Sequence, residues 1–120
     1  MAKDILIVDD EESIRELLCD FLELAGGRGT AVASRTEALT ALSKTSYELV
    51  FLDLNLEGAT SRDLITEIRG AYPALPLVLM TGETDLDTTP FQSLGVSDFL
   101  FKPFQFGQFL ALTKRYVEFS

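Results

Sequence analysis

The apolar residues of this chain gather into short continuous runs separated by longer amphipathic stretches. The clearest run is Glu48-Leu49-Val50-Phe51-Leu52-Asp53, where four apolar residues lead straight into one carboxylate. A run of that length, bounded by polar and turn signals, predicts a strand buried on both faces. Asp4-Ile5-Leu6-Ile7-Val8-Asp9 repeats the pattern and also ends in acid. Leu77 to Met80, closed by Thr81, is a third such run. Asp98-Phe99-Leu100-Phe101, closed by Lys102-Pro103, is the last. Gly29 to Ala33 is a poorer strand, short and carrying glycine, which suits a position near a sheet edge.

The stretches between the runs follow a helical period. Asp9-Asp10-Glu11-Glu12 places negative charge where it suits a helix start. Ile14, Leu17, Leu18, Phe21, Leu22 and Ala25 then recur at helical spacing, and Gly26-Gly27 stops them. Ser34-Arg35-Thr36-Glu37 reads as a capping box that opens a second helix through Ala38, Ala41 and Leu42. A loop from Asn55 to Thr60 precedes a third, with Leu64, Ile65 and Ile68. Pro73 and Pro76 punctuate the next connection. Thr89-Pro90-Phe91-Gln92 predicts another capping box, with proline at the first helical position, and a stubby helix ending at Gly95. Phe106, Phe109, Leu110, Thr113, Tyr116 and Val117 predict the final helix.

Strands alternating with helices imply an α/β fold, a doubly wound parallel sheet with helices on both faces and right-handed crossovers. A length of 120 residues bounds the chain to one domain, expected over 1–120. With 47% of residues hydrophobic, a substantial core is available to it. No apolar run approaches the roughly 18 residues of a membrane span. The start, Met1-Ala2-Lys3-Asp4, leads directly into a strand and leaves no room for a signal peptide, so a cytoplasmic location is expected. The lone cysteine, Cys19, excludes an internal disulfide and sits in a helical pattern as a packing or surface thiol. With no histidine, most zinc sites and Ser-His or Cys-His catalysis are excluded. A net charge of −9 argues against direct binding of nucleic acid or anionic membrane.

Part of that acid is clustered. Parallel strands put their carboxyl ends at one edge, where ligands collect in open sheets. The residues that close the runs are Asp9-Asp10, Asp53, Thr81 and Lys102. Carboxylates meeting there repel one another and raise each other's pKa, and a hard cation such as Mg²⁺ removes that penalty. Lys102 adds a positive point charge and Thr81 a hydroxyl. The set suits attack by a carboxylate on a phosphoryl group to form an acyl phosphate. Asp53, alone on its strand, is the natural nucleophile, and Asp10, helped by Asp9, the natural metal anchor. Each piece alone is ordinary: Asp-Asp caps helices, threonine ends strands, Lys-Pro makes turns. The order of all four at successive strand ends is not.

The segments Ile7-Val8-Asp9-Asp10-Glu11, Leu52-Asp53-Leu54, Met80-Thr81-Gly82 and Phe101-Lys102-Pro103-Phe104 resemble the receiver domain of two-component response regulators, including its chemotaxis members. The resemblance spans essentially the whole chain. It implies a flavodoxin-like fold with strand order 2-1-3-4-5. It implies Asp53 as phosphoacceptor from a histidine kinase or phosphotransfer protein. Mg²⁺ would be held by Asp10, Asp53 and the backbone carbonyl of Asn55, with Asp9 assisting. Thr81 and Lys102 would contact the phosphoryl group, and Phe99 would be the switch aromatic. Asn55 and Glu83, two residues after Asp53 and Thr81, would tune dephosphorylation, and this pair implies a short-lived signal. A downstream effector protein or domain, of unknown identity, would read the state, and dimerisation is open to such domains.

The chain departs from the pattern at two points. Many members carry proline four residues after the phosphoacceptor and glycine eight after, where this chain has Glu57 and Ser61. The conformation of that loop, and with it the Asn55 carbonyl, is what this departure touches. An alternative reading is a phosphorylation-independent pseudo-receiver, a docking module. A Mg²⁺-dependent phosphatase working through an aspartyl-phosphate would want a second acid where this chain has Asn55.

Overall fold

The computed structural model describes residues 4–56 and 61–119. Five strands alternate with five helices among the described residues: β1 Asp4–Val8, α1 Glu12–Ala25, β2 Arg28–Val32, α2 Arg35–Lys44, β3 Leu49–Asp53, α3 Ser61–Ala71, β4 Leu77–Thr81, α4 Thr89–Ser93, β5 Asp98–Phe101 and α5 Phe106–Thr113. The strands form one sheet in the order β2-β1-β3-β4-β5, and every pairing is parallel. The expected topology is therefore the observed one.

The unbroken apolar runs have a simple cause: both faces of the sheet are covered. Leu6, Val8, Val50, Leu52, Leu77 and Leu79 point to one face and pack under α2, α3 and α4. Ile5, Ile7, Leu49, Phe51, Val78 and Met80 point to the other and pack under α1 and α5. Successive residues serve opposite cores, so no position in β3 or β4 can be polar until the strand emerges.

The weak β2 strand is an edge strand, displaced by one residue from the expected span. Its glycine has a packing reason. A Cβ on Gly29 would meet Leu22 Cδ1 at 3.0 Å and Cys19 Sγ at 3.1 Å, so glycine lets α1 lie close on the strand. Cys19 is thus a half-buried packing thiol. Burial, with the Asp20 charge beside it, pushes its pKa up and away from nucleophilic use.

The helix ends correct three expectations. Ser34 Oγ accepts the Glu37 N–H at 3.2 Å, but the Glu37 carboxylate reaches the Ala33 N–H rather than that of Ser34, so only half of the capping box forms. In α4 the cap position is Thr88, not Thr89, with no side-chain bond, and Pro90 is the second helical residue. The expected box there is absent, and the helix is stubby, as expected. The final helix ends at Thr113, short of Tyr116 and Val117, although Val117 remains buried in a following turn. Its start carries a capping box between Gln105 and Gln108 that the apolar pattern alone did not reveal.

A short α4 needs anchoring from outside itself. Arg69, near the end of α3, donates to the carbonyls of Tyr72, Pro73 and Leu75 at 2.7–3.1 Å and to Gly95 at 2.7 Å. The guanidinium fork ties the α3–β4 connection to the turn after α4. Gly95 has φ 103°, and a Cβ there would come within 2.7 Å of Arg69 Nε, so glycine is required on both counts. In the middle of α4, the Phe91 ring centre lies 5.2 Å from the Arg62 guanidinium.

Candidate functional site

The carboxyl ends of β1, β3, β4 and β5 meet at one edge, and their closing residues come together there. Asp9 follows β1 and is fully buried, and Asp53 ends β3 with 4% of its surface exposed. Asp10 is half-buried beside them. One carboxylate oxygen from each of Asp9, Asp10 and Asp53 lies within 4.8 Å of the others. Lys102, directly after β5, places Nζ 3.0 Å from Asp9 Oδ2 and 3.6 Å from Asp53 Oδ1. Glu11 adds a third carboxylate contact to it at 3.9 Å.

The backbone holds this arrangement in register. The Leu54 N–H extends the ladder to Met80 O, and the Lys102 N–H bonds Thr81 O. Asp9 Oδ1 accepts the Glu11 N–H at 2.9 Å, and Arg15 donates to the Asp9 carbonyl at 2.9 Å. Asp53 Oδ1 accepts the Asn55 N–H at 3.2 Å. Thr81 is fully buried, and its Oγ1 accepts the Glu83 N–H at 3.0 Å, which leaves its hydrogen available as a donor.

Burial pushes the Asp53 carboxyl above its ordinary pKa, and the Asp9 and Asp10 charges add to this. The Asn55 N–H and Lys102 work in the opposite direction without cancelling it. Burial pushes the Lys102 ammonium down, but its hydrogen bond to Asp9 and the charges of Asp9, Asp53 and Glu11 outweigh that, and its pKa stands above the ordinary value. Asp53 is therefore a carboxylate under electrostatic stress beside a firmly held cation. Three converging oxygen donors that repel one another suit a hard divalent cation.

These positions reproduce the order of the sequence pattern at one edge of one sheet. The family model for the response regulator receiver domain matches residues 5–114. The chain belongs to that family. The response regulator protein FleR of Pseudomonas aeruginosa is 37% identical over 118 residues, covering 98% of this receiver and 25% of FleR. The regulatory protein VirG of Agrobacterium tumefaciens is 32% identical over 111 residues, covering 91% of the receiver and 41% of VirG. The receiver thus spans a quarter to two fifths of these curated relatives. Among solved structures, the receiver domain of NtrX from Brucella abortus superposes with a TM-score of 0.88 at 33% identity, over 93% of this chain and 96% of that one. The chemotaxis response regulator CheY4 of Vibrio cholerae gives 0.87 at 26% identity, over 98% and 100%.

The remaining expected residues are placed less centrally. Phe99 sits on β5 opposite Leu79, partly buried against the α2–α3–α4 core. Asn55 and Glu83 are exposed and line one groove beside the acidic cluster, with Leu56, Pro90 and Phe91. Glu57 lies outside the described residues. Ser61, noted in the sequence only as a departure, is buried and donates toward the carbonyls of Asp53 and Leu54. Its one sequence signal is its place eight residues after Asp53 at the start of a helix. The Arg15 and Glu11 contacts had no signal beyond their nearness to Asp9-Asp10.

Proposed function

We propose that this receiver, taken as a single domain over 1–120, is a phosphorylation switch whose phosphoacceptor is Asp53. The observation that carries the reading is the convergence of Asp9, Asp10 and Asp53, with Lys102 hydrogen-bonded to Asp9 at 3.0 Å and in ion-pair contact with Asp53 at 3.6 Å. The donor is a histidine kinase or phosphotransfer protein. An Asp53 carboxylate oxygen forms the new bond to phosphorus as the bond from phosphorus to the donor imidazole nitrogen breaks, and that electron pair leaves with the imidazole. Lys102, freed to turn from Asp9 toward the transferring oxygens, offsets their charge, and Thr81 donates its hydroxyl hydrogen to one of them. Asp10, Asp53 and the Asn55 carbonyl hold Mg²⁺ with Asp9 assisting. The bound ion supplies charge neutralisation to a cluster that otherwise repels itself. Water later attacks phosphorus, the bond from phosphorus to the Asp53 oxygen breaks with its electron pair returning to the carboxylate, and inorganic phosphate leaves, with Asn55 and Glu83 at the rim controlling the approach of the water.

New contacts to the phosphoryl group bias a two-state equilibrium, with Phe99 turning inward as Thr81 moves. A downstream effector protein or domain reads the result, in the cytoplasm and without nucleic-acid or membrane contact by this domain; among the described residues no helix is long and apolar enough to cross a membrane. The intact acid, threonine and lysine set supports this switch over a docking module that ignores phosphate. Metal removal is the test. With acetyl phosphate as donor, phosphate release is expected in Mg²⁺ and is expected to fall to the uncatalysed rate in chelator. Equal release in both would count against the reading.

A further inference from the structure

We propose that Ser61 is a positioning residue for the phosphoacceptor, its hydroxyl holding the backbone between Asp53 and Asn55 in the orientation that metal binding needs. The inference rests on the site reading above and adds to it a residue that makes no contact with metal or phosphate.

The geometry is specific. Ser61 opens α3 and is 3% exposed. Its Oγ lies 2.7 Å from the Asp53 carbonyl oxygen and 2.6 Å from that of Leu54. One hydroxyl hydrogen is thus shared between two acceptors. Each of those carbonyls belongs to a planar peptide whose other end is also held. In the Asp53–Leu54 peptide, the carbonyl meets Ser61 and the Leu54 N–H meets Met80 O at 2.9 Å. In the Leu54–Asn55 peptide, the carbonyl meets Ser61 and the Asn55 N–H meets Asp53 Oδ1. Ser61 is the member common to both clamps.

Two consequences follow from planarity. Turning the Leu54 carbonyl turns the Asn55 N–H, which is a hydrogen-bond donor to the Asp53 carboxylate. The Ser61 hydroxyl therefore sets the angle of that carboxylate through one rigid plane. It also sets the chain direction into Asn55, whose carbonyl is the proposed backbone ligand. With alanine at 61, both carbonyls lose a buried donor and the two planes are free to rotate.

A purely structural serine would change melting temperature and leave metal affinity of the folded protein alone. The test is calorimetric titration of the metal-free chain with MgCl₂, for wild type, Ser61→Ala and Ser61→Thr, at a temperature where circular dichroism shows each folded. Ser61→Ala is expected to weaken Mg²⁺ binding about tenfold, the lower end of what loss of a ligand-orienting hydrogen bond costs. Ser61→Thr keeps a hydroxyl and is expected to bind nearly as wild type does. If Ser61→Ala does not fold, Ser61→Cys takes its place: its thiol fills the same space but is a weak hydrogen-bond donor, and a severalfold loss of Mg²⁺ affinity is expected. Wild-type affinity in the hydroxyl-free variant would overturn the inference while leaving the site reading intact. A wild-type chain that binds no Mg²⁺ would overturn both.

Discussion

Replacing Lys102 by methionine should produce the largest combined loss of stability and phosphoryl acceptance of any single change at the edge of the sheet. Its ammonium lies 3.0 Å from the fully buried Asp9 and 3.6 Å from Asp53. Methionine keeps much of the bulk and leaves two buried carboxylates facing each other. Removing one partner of a buried ion pair costs about 3 kcal/mol. Urea unfolding of the metal-free variant should register a loss of that size. The raised Lys102 pKa fixes the sign with pH. The ion-pair contribution is fully present below the ordinary lysine pKa and is lost only as pH rises through the higher folded value, so the deficit should be constant across neutral pH. Phosphoryl acceptance from acetyl phosphate should fall about a hundredfold, the scale for deleting one preorganised charge-stabilising donor. Mg²⁺, by contrast, should bind more tightly, because a competing cation has gone. Rates within twofold of wild type would remove Lys102 from the chemistry.

Asp53→Asn should act in the opposite direction on stability. The folded Asp53 carboxyl has a raised pKa, chiefly from burial and then from the Asp9 charge. The folded state therefore holds its proton more tightly than the unfolded state does. Stability contributed by this group is greatest below the ordinary aspartate pKa and declines as pH rises through the folded value. At neutral pH the wild-type chain carries that penalty and the asparagine variant does not. In chelator at neutral pH, Asp53→Asn should melt several degrees higher, the shift that roughly 1 kcal/mol gives a domain of this size. Below the ordinary carboxylate range the two should converge. Adding Mg²⁺ at a hundred times its dissociation constant should stabilise wild type by about 2.7 kcal/mol and the variant by less. A variant no more stable than wild type in chelator would mean that the acidic cluster is not strained.

How much of this could be read from the sequence depended on how local the cause was. The β1, β3 and β4 runs were legible because a strand covered on both faces must be apolar at every position, and the first polar residue then marks the edge; β5, an edge strand only partly covered, was legible from its short apolar run closed by Lys102-Pro103. Those signals located Asp9, Asp53, Thr81 and Lys102 together. The ends of α2, α4 and α5 were less legible, because a capping box depends on where a flexible carboxylate lands, and Glu37 landed one residue early. Val117 kept a helical spacing after the helix had ended, since burial under the sheet, not helix continuity, demanded an apolar residue there. Arg69 and Ser61 were opaque for a different reason. Both act on backbone carbonyls, which every residue carries, so no partner in the sequence announces them.

Asp53 as the phosphoacceptor is tested most directly by intact mass. Wild type and Asp53→Asn would be incubated with Mg²⁺ and acetyl phosphate, with phosphate release followed in parallel. A phosphoryl adduct, or sustained phosphate release, in wild type that disappears in Asp53→Asn is the predicted result. Wild type with neither adduct nor turnover above the variant would contradict the switch and leave the domain as a docking module.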